Sequence, residues 1–337
     1  MNINNINEHN NSLNKIKQLC KKLGFTTKKI LKKVPVVFQL LKIIQDKRYF
    51  YHFTQGFLTN KNSRFFFKNL ESKFFYRKID KSINLFIDVN NEIDNLKKNG
   101  FVENPLVVSN KQINEIVHFL KSKPMHDPEQ ELAGYFFYKD KPKNIKRGFY
   151  RCEDVVHAPN ILDIANDPKI LSIAYNYFGS VPQIDYIGSW WSFPSNTIAL
   201  TQSFHRDIDK LNSLKLFVYL SDVDYQSGPH VYIRSSHNSS FKTSKGKQYS
   251  DNDLKKQFNN KDIISLEGKA GYTFIADTFG FHKGLPPSDK NRLVLQVIYT
   301  LKRTPFGPKK PFLNKEDAMK LSTYKYSSYV NKHIIKT

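Results

Sequence analysis

In the second half of the chain, apolar positions gather in short runs bounded by turn residues, the pattern of strands. Four runs stand out: IDYIGSWWSF (184–193), SLKLFVYLSDV (213–223), AGYTFIAD (270–277) and RLVLQVIYT (292–300). They are rich in β-branched and aromatic residues, and each predicts a strand. Turn residues separate them at Pro194-Ser195-Asn196, Ser227-Gly228-Pro229, Gly268, Gly280 and Pro286-Pro287.

Upstream the pattern changes. Gly100 marks a turn into a short extended stretch, Phe101 to Val108. Ser109 is a suitable N-cap, and the helix after it sets Ile113, Ile116, Val117 and Leu120 on one face. The stretch PNILDIANDPKILSIAYNYFG (159–179) predicts two helices, broken near Asp167-Pro168 and stopped at Gly179. Helices followed by many strands give a mainly β fold, an antiparallel sandwich or jelly roll with helical buttresses. No internal repeat is visible.

Three segments follow from texture: a basic, aromatic-rich extension (1–92) that is helical in pattern, a β-rich domain (93–305), and a basic tail (306–337). In the extension, KKILKKVPVVFQLLKII (28–44) predicts an amphipathic helix after Pro35. It reads first as a helix packed on the neighbouring domain, with an anionic membrane surface as the other reading. SRFFFKNLESKFFYRKI (63–79) interleaves aromatic and basic residues near helical spacing, and reads as core rather than as a stacking surface for nucleic acid. The polar stretch 240–262 carries no strand pattern.

Composition narrows the classes. With 39% hydrophobic and 14% aromatic residues, the 337-residue chain has ample material for a core. The net charge of +23 attracts anions in principle. Lysine dominates over arginine, whereas phosphate recognition favours the arginine fork, so nucleic acid is not the expected partner. Two cysteines, Cys20 and Cys152, are too few for a disulfide framework and fit a reducing compartment. No apolar run approaches the ~20 residues of a membrane span, and the Asn-rich start is unlike a secretory signal. The expected location is cytoplasmic, with peripheral membrane contact through the basic extension as a variant.

The candidate chemistry centres on FHRDID (204–209). In a strand, His205 and Asp207 point to one face. In a chain with 10 histidines chance explains such a pair poorly but not negligibly, so a third ligand decides its meaning. Two histidines and one carboxylate form a facial set for Fe(II) with open positions opposite. His230, His237, His282 and His333 are the candidates beyond Asp207. His282 follows the strand signal GYTFIADTFGF, and Arg292 opens the next strand. There Arg292, Val294, Gln296 and Ile298 share a face. A guanidinium at that place can take the far carboxylate of a 2-oxo diacid through two charged hydrogen bonds.

With these residues the sequence resembles the phytanoyl-CoA dioxygenase family of Fe(II)/2-oxoglutarate-dependent oxygenases. The similar stretches are NGFVENPLVVSNKQINEIVHFL, LDIANDPKILSIAYNYFG, QSFHRD, LKLFVYLSDVDYQSGPHVYIRSSH and FGFHKG with NRLVLQVIY, spanning about residues 95–301. The resemblance implies a double-stranded β-helix (jelly roll, cupin-like) core. It implies iron on His205, Asp207 and His282, and Arg292 on the C5 carboxylate of 2-oxoglutarate. Gln202 is a further candidate for the cosubstrate. One of Trp190 and Trp191 is expected to face the interior, while His230 and His237 read as structural. The family's Pro-Gly-Ser-His is replaced here by Arg234-Ser235-Ser236-His237, and a hydroxyl residue found in some members after the distal histidine is Gly284. The implied reaction uses O2 and 2-oxoglutarate and releases succinate and CO2. Related halogenases lack the ligating carboxylate, so Asp207 favours hydroxylation of a small-molecule or lipid-like substrate, with desaturation, epimerisation or ring closure as the other outcomes the same site supports. The alternatives are a cupin-type metalloenzyme that does not use 2-oxoglutarate, and a non-catalytic basic membrane- or nucleic-acid-associated protein on the same fold.

Overall fold

The computed structural model describes residues 42–55, 60–77, 87–130, 133–195, 202–207, 210–241, 248–305, 307–321 and 327–336, with positions 39 and 58. In chain order the helices are α1 (Arg48–Gln55), α2 (Lys61–Phe74), α3 (Asn90–Asn99), α4 (Asn110–Lys121), α5 (Cys152–Val156), α6 (Ile161–Ala165), α7 (Pro168–Phe178), α8 (Asp251–Lys255) and α9 (Lys315–Leu321). The strands are β1 (Phe101–Glu103), β2 (Met125–His126), β3 (Tyr135–Phe136), β4 (Arg147–Tyr150), β5 (Gln183–Ser192), β6 (Ser213–Tyr219), β7 (His230–Ile233), β8 (Ile263–Leu266), β9 (Thr273–Ala276), β10 (His282–Gly284) and β11 (Arg292–Thr300).

The strands form two sheets. The larger has the order β1-β9-β6-β11-β5-β4-β2-β3, and the smaller β10-β7-β8. From β5 onward the chain winds between them. Strands β5, β6, β9 and β11 enter the large sheet, and β7, β8 and β10 the small one. A bridge between His205 and His282 adds the segment after β5 to the free edge of β10. This winding is the double-stranded β-helix, and every pairing within it is antiparallel.

Alternation along β11 explains the layers. Leu293, Leu295, Val297 and Tyr299 join the core beneath the helices, with Ile170 and Ile173 of α7. Val294, on the opposite face, joins Phe217, Tyr219, Tyr232 and Phe274 inside the barrel. The same strand therefore contributes to two cores, which is why its run reads as almost continuously apolar. Each fully buried large aliphatic side chain contributes on the order of 1.5–3 kcal/mol.

The buttress helices form where their caps predict. Ser109 and Gln112 make a reciprocal capping box at the start of α4, which buries Ile113, Ile116 and Leu120. Asp167 caps α7, Pro168 opens it, and Gly179 closes it at φ +70.

Other expectations are overturned or refined. The aromatics of α2 do not form core. Phe65, Phe66, Leu70 and Phe74 are exposed, and the buried residues of this helix are Arg64 and Glu71. The reason is polar docking: Asn212 donates from Nδ2 to Glu71 Oε2 at 2.8 Å, and Arg64 donates to the Lys210 carbonyl. The helix turns its charges inward to meet these groups. Within stretch 240–262, of which 242–247 lie outside the described residues, Asp251–Lys255 forms α8, capped by Ser250 and Asp253. The tail packs through Leu313, Val330, Ile334 and Ile335. Of segment 28–44, only positions 39 and 42–44 lie within the described residues. Among the described residues no helix is long and apolar enough to cross a membrane.

Candidate functional site

The β-helix brings His205, Asp207 and His282 to one point. His205 and His282 sit opposite each other on neighbouring strand edges and exchange two backbone hydrogen bonds, of 3.0 and 3.1 Å. Their rings stand 4.3 Å apart, centroid to centroid. Two residues on, the Asp207 N–H donates to the Thr278 carbonyl at 2.9 Å, which seats the carboxylate beside both rings.

Backbone carbonyls fix the imidazole tautomers. His205 Nδ1 lies 2.9 Å from the Ser203 carbonyl, and His282 Nδ1 lies 2.9 Å from the Gly280 carbonyl. A carbonyl only accepts, so each Nδ1 carries the proton and each Nε2 presents a lone pair. Those Nε2 atoms face Asp207, at 3.8 Å from Oδ1 for His205 and 3.5 Å from Oδ2 for His282. One ligand atom from each residue lies within 4.8 Å of the others, the only such grouping among the described residues. Two imidazole nitrogens and a carboxylate around a shared point fit a divalent transition metal.

Electrostatics keep this donor set in the ligating form. Burial pushes His205 down to about 4, so its imidazole is neutral near pH 7. Burial alone would raise the Asp207 carboxyl. The Lys215 ammonium, and then the His282 and His205 rings, outweigh it and hold Asp207 well below the usual carboxylate range. Lys215 Nζ sits 2.5 Å from Asp207 Oδ2.

Beside the triad lies a cavity of about 60 Å³ bounded by Arg292, Gln202, His230, Ser192, Phe217 and Phe274, among others. The buried Arg292 guanidinium donates to the Gly228 carbonyl and, at 3.2 Å, to Ser192 Oγ. Gly228 has φ +74, and a Cβ there would run into the Leu285 carbonyl, so only glycine suits this turn. Two buried nitrogens on the cavity wall, Arg292 Nε and His230 Nε2, have no hydrogen-bond partner among the described residues. Buried polar nitrogens are rarely left so, and here both border one small space next to His282. His230 stacks on His282 at 5.3 Å with 17° between the rings. The structural role read for His230 from sequence is therefore revised: it forms part of the wall that joins the cavity to the triad.

Arg147 is a residue the sequence reasoning missed. It lines the same cavity and stands in register with Ser192, which in turn pairs with Arg292. Its guanidinium is held by Glu129 at 2.5 Å. β4 is only four residues long, RGFY, and carries no alternation that would have marked it.

On the other side of Asp207, a second cavity of about 320 Å³ is lined by Asp185, Lys210, Ser213, Lys215, Gln296 and Thr304, with Tyr186 and Ile298. Lys210 and Asp185 pair there at 2.7 Å. Gln202 lies in the wall of the smaller cavity. Trp190 packs with the aromatics of the barrel interior and stacks on Phe149, whereas Trp191 is buried on the helix side and donates to Tyr150 at 3.0 Å. His237 contacts the Lys97 carbonyl at 3.2 Å, and His333 contacts Gln183 at 2.8 Å; neither joins the triad. Gly284 is where a Cβ would come within 3.2 Å of Arg292 Nη2.

No family model matches the sequence, and no curated protein matches it. Solved structures do. One is EctD from S. alaskensis with 2-oxoglutarate and 5-hydroxyectoine, at 15% identity and a TM-score of 0.47 over 75% of this chain and 89% of that one. Another is HygX from Streptomyces hygroscopicus with nickel, 2-oxoglutarate and hygromycin B, at 13% identity and 0.45 over 71% and 96%. A third is the non-heme α-ketoglutarate-dependent carbocyclase SnoK from nogalamycin biosynthesis, at 14% identity and 0.44 over 65% and 87%. At such identities function is read from the site's own geometry.

Proposed function

We propose that the chain is an Fe(II)- and 2-oxoglutarate-dependent dioxygenase that hydroxylates a small polar molecule. The observation that carries this is the junction of two features. A two-histidine, one-carboxylate set shares a ring-stacked wall with a cavity whose floor is a buried arginine. A metal-binding protein with no diacid cosubstrate has no use for that guanidinium, whose desolvation is costly unless an anion meets it.

His205, Asp207 and His282 would hold the iron. Arg292, fixed by the Gly228 carbonyl and Ser192, would take the C5 carboxylate of 2-oxoglutarate, with Gln202, Arg147 and His230 around the remainder of the molecule. When bound, iron and cosubstrate would supply the oxidising chemistry, which converts O2, 2-oxoglutarate and a substrate C–H bond into succinate, CO2 and a hydroxyl group. The chain's own work is positional. Carbonyl-held Nδ1 protons keep both imidazoles aimed at the metal position. Phe217 and Phe274 line the Arg292 cavity and would limit water beside a bound cosubstrate.

The second cavity carries the reading of substrate class. Acidic, basic, hydroxyl and amide groups line it beside the apolar surface of Tyr186 and Ile298, and that many polar partners suit a hydrogen-bonding metabolite better than a bare acyl chain. Asp207 keeps the third protein ligand in place, and hydroxylation is the outcome it favours.

The test is anaerobic addition of Fe(II) and 2-oxoglutarate to the purified protein. A weak visible charge-transfer band is expected, and it should be lost in His205→Ala. Oxygen-dependent succinate release with a panel of polar metabolites would then identify the substrate. A metal that binds with no band and no response to 2-oxoglutarate would favour the cupin-type alternative.

A further inference from the structure

We infer that α2 is a docking face for an anionic lipid surface. The helix is amphipathic in the reverse sense. Phe66, Leu70 and Phe74 recur every four residues and are 62%, 49% and 81% exposed. On the inner side Arg64 and Glu71 are buried, and Lys68 pairs with Asp277 at 3.2 Å. Folding gains nothing from an aromatic ridge in water. Soluble monomers rarely show contiguous apolar patches of this kind unless something covers them.

The occupant follows from charge. Between Asp46 and Asp80 the sequence has a single acidic residue, Glu71, and it is buried. Lys61, Lys73 and Arg77 are exposed in and just after the helix. On the flank beside the ridge, a cleft of about 770 Å³ is lined by Lys61, Lys73, Lys97 and Tyr76, among others. An apolar ridge with a basic flank and no exposed acid is the pattern of a helix lying in a membrane interface, with aromatics among the upper acyl carbons and ammonium groups among anionic headgroups. A protein partner would need an acidic rim around an apolar groove; a bilayer with anionic lipid offers both at every point. The α2 face is distinct from segment 28–44, and its occupancy does not depend on the catalytic reading.

The experiment is vesicle flotation of the full chain with phosphatidylcholine alone and with phosphatidylcholine containing about a third phosphatidylserine. Binding is expected with the anionic vesicles and should weaken steeply with salt. Phe66→Ser, Leu70→Ser and Phe74→Ser together should lower binding by at least about tenfold. Lys61→Gln with Lys73→Gln should lower it by about fivefold per lysine. All five positions are exposed, so circular dichroism and the Fe(II)–2-oxoglutarate band should not change. Absence of binding by the full chain, or unchanged binding by the triple variant, overturns the inference. So does a concentration-dependent dimer, seen by light scattering, that the triple variant dissolves without any vesicle binding; the face would then join two copies of the chain.

Discussion

Replacing Arg292 by glutamine isolates the anchor from the metal set. The guanidinium is buried, fixed by the Gly228 carbonyl and Ser192, and its Nε has no partner among the described residues. A carboxylate arriving there can take two parallel charge-assisted hydrogen bonds. Each is worth about 1.5–3 kcal/mol. Glutamine keeps one neutral donor pair, so the net loss should be about 3 kcal/mol, or roughly 150-fold in affinity. The assay is anaerobic titration of the Fe(II)-loaded protein with 2-oxoglutarate and, separately, with pyruvate, following the visible band. Pyruvate has the keto acid but no distal carboxylate. The intact chain should therefore prefer 2-oxoglutarate by about the same 150-fold, and Arg292→Gln should bind the two about equally. The variant's Fe(II) affinity should stay unchanged, because Arg292 is not in the ligating set. If Arg292→Gln retains the preference for 2-oxoglutarate, the anchor is elsewhere and the cosubstrate pose proposed here is wrong.

Other outcomes follow from the same geometry. His282→Ala should abolish the band and cut Fe(II) affinity by at least about a hundredfold with an unchanged far-ultraviolet circular dichroism spectrum, since a facial set cannot close with two ligands. Gly228→Ala should cost about 1–3 kcal/mol in urea unfolding and weaken 2-oxoglutarate binding in parallel, because the strained turn carries the carbonyl that orients Arg292. Burial pushes Glu71 up to about 7, above its unfolded value of 4.5. The folded state thus holds this proton more tightly, and the stability it contributes is present below pH 4.5 and lost as pH rises through about 7. That loss is of order 3 kcal/mol. Glu71→Gln keeps the carbonyl that accepts from Asn212 but cannot ionise, so it should flatten the fall in melting temperature between pH 5 and 8 and be the more stable form at pH 8; an identical pH profile in both proteins would show that Glu71 titrates normally.

Much of this was legible from residue patterns, for physical reasons that differ by element. Strands β5, β6, β9 and β11 are buried on both faces, and their β-branched and aromatic runs announce them. The helices α4 and α7 are marked by cap chemistry at Ser109, Asp167 and Gly179. Strands β7 and β10 span four and three residues, too short for a period to register, though they carry His230 and His282. The triad was accessible because its residue types are chemically narrow and Arg292 stands at a strand start. Arg147 and His230 were not, because each enters the cavity through pairing between strands distant in sequence. Helix α2 misled for a sharper reason. Periodicity identifies an apolar face but not its direction, and here Asn212 and the Lys210 carbonyl reward turning the polar face inward.

The bridge between His205 and His282 has a mechanical meaning. The edge segment that bears His205 is tied to β10 by a single pair of backbone bonds, with one further bond from Asp207 to Thr278 and a bridge from Phe204 to Tyr249 on either side. A ferrous ion gripped by both side chains would act as a clasp across that seam, closing a long loop that the backbone alone only tacks down. Loading and structural tightening would then be one event, and stripping such an ion should open this seam to protease before any other part of the barrel yields.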